Sequence, residues 1–139
     1  MPWSRVSSRA AENALSSGFR RNDVLVANAA TNELTGNRAE DTFVWMSLDD
    51  LTNDGVGFDV IADFTSALDH IDLHLIDAVV GTRGRDAFSF ICDEAFTGLA
   101  QLRFAEGVLS GNVAGDTAAD FSIRLTGATT LAPADLILV

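Results

Sequence analysis

The chain of 139 residues contains no lysine, no tyrosine, one cysteine, two histidines and two prolines. The single Cys92 excludes an intramolecular disulfide. With only His70 and His74 beside it, little remains from which to build a thiolate or zinc site. Scarce proline together with 47% hydrophobic residues excludes a disordered chain. No apolar run approaches the ~18–20 residues of a membrane helix, so stable membrane insertion is not expected. The first residues carry arginines but no apolar segment, so a cleavable secretory signal is not visible and any export address is expected elsewhere. Catalytic signatures are missing too: no Gly-x-Ser-x-Gly elbow, phosphate loop or dinucleotide fingerprint follows an expected strand. His70 and His74 are four apart, but Ile71 stands where the zinc-protease motif needs Glu. Read as strand positions they sit ~13 Å apart, too far to share a zinc ion. Cys92 ends an alternating segment and reads as a small core residue. No enzyme activity is expected.

Positive charge is the other shortage. Nine arginines face twenty acids, for a net charge of −11, and the acids are fifteen Asp to five Glu. Asp is the better residue for tight turns and oxygen-lined metal loops. The imbalance is local. Residues 1–21 hold four Arg and one Glu, and all other acids lie beyond them. So acidic a body repels nucleic acid and anionic lipid. Its self-repulsion opposes compaction unless cations gather on it; a merely soluble acidic surface is the simpler reading. A secreted chain without disulfides needs another staple, and calcium is a candidate.

What the sequence does have is an internal repeat of nine across residues 18–44. Its copies are Gly18-Phe-Arg-Arg-Asn-Asp23-Val-Leu25-Val, Ala27-Asn-Ala-Ala-Thr-Asn32-Glu-Leu34-Thr and Gly36-Asn-Arg-Ala-Glu-Asp41-Thr-Phe43-Val. A small residue opens each copy, Asp or Asn stands sixth, and a large apolar residue stands eighth. Nine residues hold a tight turn and a very short strand whose middle side chain points inward, so stacked copies bury a continuous apolar row. Residues 1–17, rich in Ser, Ala and Arg, read as a disordered or loosely helical tail.

From residue 42 onward short strands alternate with turns. Thr42–Met46 has strand composition and leads into an Asp/Asn/Gly loop at 49–57. Val60–Phe64, His70–Leu75, Ala87–Ile91 and Asp120–Leu125 alternate apolar with polar residues, the period of a half-buried strand. Leu102–Phe104 and Val108–Leu109 continue the theme. Thr130–Asp135 suits a helical turn with Pro133 near its first position, and Leu136–Val139 is wholly apolar. The pattern predicts an all-β fold of sandwich or roll type.

The order of these motifs resembles the C-terminal domain of the RTX and serralysin-type (peptidase M10) proteins. Asp41-Thr-Phe-Val-Trp45 matches the end of a last glycine-rich nonapeptide. Ile61-Ala-Asp63-Phe64 and Asp69-His-Ile71-Asp72-Leu73 match the segment after it. Asp86-Ala-Phe-Ser-Phe90, Ala95-Phe-Thr-Gly98, Leu102-Arg-Phe104, Gly111 through Asp120-Phe121, Leu125-Thr-Gly127 and Ala134-Asp135-Leu-Ile-Leu follow in the family's order. The resemblance covers roughly residues 18–139. It implies an all-β domain in which a short parallel β-roll of degenerate nonapeptides (18–44) runs into a β-sandwich (45–139). It also implies secretion to the extracellular space through a type I apparatus that reads an uncleaved address, here Ala134, Asp135, Leu136, Ile137, Leu138 and Val139.

The resemblance further implies bound Ca2+, a hard ion taking six to eight oxygens. Copies alternate sides of the roll, so Asp23 and Asp41 are expected on one side, with Asn32 on the other. Of the family's glycines only Gly18 and Gly36 are kept; Arg21, Ala30 and Ala39 stand where left-handed glycines are expected, at a cost on the order of 1 kcal/mol each. The alternative there is a short metal-free ladder. A second group is Asp59, Asp63, Asp69 and Asp72, among which the family's role of closing the last calcium site falls first on Asp63 and Asp69. Strand alternation places Asp69 and Asp72 on opposite faces, and solvated acids are the plainer reading. A third is the turn with Asp116 and Asp120, where two carboxylates are too few for a tight site and a plain hairpin is favoured. The sequence thus reads as a non-catalytic calcium-binding folding and type I secretion module without the protease domain. The alternative is a calcium-independent β-sandwich that binds a polysaccharide or an unknown extracellular protein partner.

Overall fold

The computed structural model of the chain describes residues 4–7, 14–16, 23–27, 33–36, 40–52, 59–79, 84, 86–115 and 118–139. Its first strands are β1 (Ser4–Ser7), β2 (Ala14–Ser16), β3 (Asp23–Val26), β4 (Glu33–Thr35) and β5 (Thr42–Val44). β3 pairs in parallel with β5, Leu25 beside Phe43, while β4 belongs to the other sheet. The first and third nonapeptides therefore stack on one side and the second lies opposite, as a nine-residue unit of one strand and one turn requires.

Within the stretch read as a disordered or loosely helical tail, Ser4–Ser7 and Ala14–Ser16 are strands instead. β1 pairs in parallel with β3 and β2 with β4, adding a strand to each side of the roll. A parallel ladder ends in a row of unpaired backbone N–H and C=O groups, and the two strands satisfy them. Backbone pairing of this kind leaves little trace in apolar periodicity.

After β5 the segment read as a loop begins with a short helix, α1 (Leu48–Thr52), which buries Leu51; residues 53–58 lie outside the described residues. Then come β6 (Asp59–Ile61), β7 (His70–Asp72), β8 (Ser89–Phe90), β9 (Gln101–Ala105), β10 (Val108–Asn112), β11 (Phe121–Leu125) and β12 (Leu136–Ile137). The last is preceded by a 3-10 turn over Pro133–Asp135. One sheet has the order β1-β3-β5-β7-β12 and is parallel throughout. The other runs β2-β4-β6-β11-β10-β9-β8, parallel as far as β11 and antiparallel across β11, β10 and β9. The roll thus passes into the sandwich without a seam, because β6 and β7 add to the roll's own sheets.

The inward rows are continuous. Leu25, Phe43, Ile71 and Leu136 lie side by side across the first sheet. Leu34, Ile61 and Leu125 do so across the second. All seven are buried, and each fully buried Leu, Ile or Phe contributes roughly 1.5–3 kcal/mol. In β9 to β11 the buried Leu102, Phe104, Leu109 and Ile123 alternate with the half-buried Arg103, Ser110 and Ser122, which is the expected period of two. The β9–β10 hairpin turns through Glu106 and Gly107, both at positive φ, the form that matches strand twist.

Candidate functional site

The parallel register brings four of the acid-site candidates to one turn of the roll. Gly36 donates its N–H to Asp63 Oδ1 at 2.9 Å, across 27 residues. Asp41 donates its N–H to Asp69 Oδ1 at 3.0 Å, across 28. Asp69 Oδ2 accepts the Thr65 N–H at 2.9 Å. Gly36 has no side chain for a reason: a Cβ there would run into the Asp41 carboxylate. The turn between β6 and β7 thus folds back on the last nonapeptide and caps its amides with carboxylates.

Asp41 and Asp69 are both buried. Burial pushes the Asp69 carboxyl above the usual range, the Asp63 charge adds to it, and the two amide hydrogen bonds oppose it.

The other candidates lie apart. Asp59, at the start of β6, is fully buried and accepts the Trp45 indole N–H at 2.7 Å, joining the core. Asp72, the last residue of β7, is half-buried and holds the backbone N–H and ring Nδ1 of His74. The strand ends at Asp72, so His74 sits in the following turn, while His70 lies 4.0 Å from Glu40. Asp120 Oδ2 accepts the N–H groups of Val113 and Ala114, at 2.7 and 3.0 Å. Asn112 Oδ1 accepts those of Ala114 and Gly115. Asp23 begins β3, one strand from Asp41, and its backbone alone is described. Asp116, Asn32, Gly18, Arg21, Ala30 and Ala39 lie outside the described residues. Cys92, read as a core residue, is instead exposed in a turn at φ +59, because β8 ends at Phe90.

Sequence reasoning missed what Asp135 does. It is 1% exposed, in the 3-10 turn before β12, with Oδ2 accepting the Ser66 hydroxyl at 2.6 Å and the Ala132 N–H at 2.8 Å. Its Oδ1 accepts the Ala67 N–H at 2.8 Å. Burial opposes ionisation, but the hydrogen bonds from Ser66, Ala132 and Ala67 outweigh it, and the carboxyl lies below the usual range. Nothing within the segment itself announces a partner 68 residues away.

Calcium requires six to eight oxygens converging on one point. Both oxygens of Asp69 and of Asp135 accept N–H or O–H donors, as do Oδ1 of Asp63 and Oδ2 of Asp120. Among the described residues, no group of three or more Asp, Glu, His or Cys could hold a metal ion. No described helix is long and apolar enough to cross a membrane.

Compared with known families, the chain matches the one described as peptidase M10 serralysin C terminal, over residues 4–138. No curated protein matches it.

Proposed function

The chain belongs to the peptidase M10 serralysin C-terminal family, and from that premise we propose that it is the folding and type I secretion module of an RTX-like extracellular protein. The family is the non-catalytic part of its parent proteins. The observation that carries the proposal is the continuity of roll and C-terminus. β12, inside the segment Ala134–Val139, is a strand of the same sheet as the first and third nonapeptides of the roll. An export address built this way is held in a sheet, with Asp135 and Leu136 buried, when the roll is folded, and is released when it is not. Calcium, in this reading, acts at the turns of the roll near Asp23 and Asp41, where binding free energy adds to folding free energy. Fusion of the chain to a reporter, in a host with a type I apparatus, tests the export role. Reporter in the medium that disappears on deletion of residues 134–139 supports it, and export that survives the deletion overturns it. Titration with calcium after metal stripping, followed by circular dichroism, tests the ion: a rise in melting temperature is expected, and an unchanged melt removes calcium from the proposal.

A second reading, a calcium-independent β-sandwich for a polysaccharide or protein partner, is favoured by Asp69 and Asp135, each held by backbone amides at both carboxylate oxygens. It also has a surface to work with, the outer face of β9–β11 carrying Arg103, Ser110 and Arg124. Retention of the full fold in chelator, with Arg124→Ala weakening glycan or protein capture, is its expected outcome.

A further inference from the structure

The C-terminal strand is held by less than its neighbours are. β12 has two residues, pairs with β7 alone and forms the edge of its sheet. Leu136 is its one buried side chain; Ile137 and Leu138 are half-buried and Val139 is 89% exposed. So short an edge strand is not fixed by its ladder. What fixes its start is Asp135, through the Ser66 hydroxyl and the Ala67 and Ala132 N–H groups.

The receiving turn is unusual. Ala67 sits at φ +70, a conformation that a residue with a Cβ adopts only under constraint. In that conformation its N–H points to Asp135. The same turn holds Asp69, whose carboxylate caps Thr65 at one end and Asp41 of the roll at the other. Two of the three donors to Asp135, from Ser66 and Ala67, are therefore in place only when the turn that closes the roll has formed.

The geometry points to a clasp: Asp135 closes the strap of residues 133–138 onto the Thr65–Asp69 turn, and the strap, with β12, can open while the other strands of both sheets stay folded. Roll closure and docking of the last residues are coupled through that one turn. The biological meaning of the clasp rests on the proposed export role of residues 134–139, but its existence does not.

Hydrogen exchange on the full chain tests it. In Asp135→Ala, the Leu73 N–H, which bonds to Ile137 O at 2.9 Å, is expected to exchange about tenfold faster or more, together with Ala67 and the strap amides. The amides of β9, β10 and β11 are expected to keep their wild-type rates. Ser66→Ala, which removes one of the three bonds and leaves the carboxylate, is expected to give the same pattern at several-fold, and it decides the matter should Asp135→Ala not fold. Acceleration spread evenly over β9–β11, or unchanged rates at Leu73 and the strap, overturns the clasp. A reporter that is not exported while the exchange pattern holds counts against the export role alone.

Discussion

Asp69 Oδ1 accepts the backbone N–H of Asp41 at 3.0 Å, a contact between a buried carboxylate and a buried amide 28 residues earlier. Through it the last turn of the roll is tied to the first turn of the sandwich. The other oxygen of the same carboxylate holds Thr65, so one side chain sets the geometry of two turns.

Asp69→Ala leaves two amides without acceptors. The expected loss is about 1–3 kcal/mol, the cost of leaving the buried Asp41 donor unsatisfied, while the N–H of the exposed Thr65 can turn to water. Asp69→Asn keeps the acceptor for Asp41 and loses less. Urea unfolding of the two variants beside the wild type, in calcium-free buffer, gives the comparison. Equal stability of Asp69→Ala and wild type contradicts the capping role.

Acid separates Asp135 from Asp69 because their shifts have opposite signs. The Asp135 carboxyl is lowered, so its contribution is complete above the ordinary value of 3.8 and is lost as pH falls through its lower folded value. The Asp69 carboxyl is raised, so the folded state takes up its proton first. Its contribution grows as pH falls from the raised value to 3.8. The stability gap between wild type and Asp135→Ala is therefore expected to narrow on acidification below 3.8. That between wild type and Asp69→Asn is expected to move in favour of wild type between the raised value and 3.8. Chemical unfolding at a series of pH values measures both.

Trp45 and Asp59 form the buried polar pair of the core. Trp45→Phe removes a hydrogen bond to a carboxylate, a loss of about 1.5–3 kcal/mol before any cavity is counted. A double-mutant cycle with Asp59→Ala isolates the pair, and a coupling energy near zero refutes the interaction.

Two glycines are fixed by what stands over them. A Cβ at Gly111 would enter the ring of Phe121, its cross-strand neighbour. A Cβ at Gly36 would meet the Asp41 carboxylate. Gly111→Ala and Gly36→Ala are each expected to cost about 1–3 kcal/mol, the range of an overpacked site. Gly127→Ala is the contrast: nothing lies near its Cβ, but φ is +82, and the penalty is one of backbone strain, about 1 kcal/mol. Melting temperatures of the three variants check the ranking.

The sequence by itself determined the all-β class, the stacking of alternate nonapeptides and the alternating strands of the sandwich. Spacing of nine and a period of two are properties of a strand's own geometry, so Leu25, Leu34 and Phe43 announce their inward rows before any partner is known. Its resemblance to the family placed Gly36 and Asp41 in the last nonapeptide and Asp63 and Asp69 in the segment after it. Only the tertiary structure decided what those side chains touch. Asp69 finds the Asp41 amide, Asp59 the Trp45 indole and Asp135 the Ser66–Ala67 turn because parallel pairing brings distant segments into register. The same holds for β1 and β2, which follow from the backbone hydrogen bonds of an open ladder rather than from a pattern of their own. A carboxylate looks the same in sequence whether a cation or an amide will face it, and that choice belongs to the packed chain.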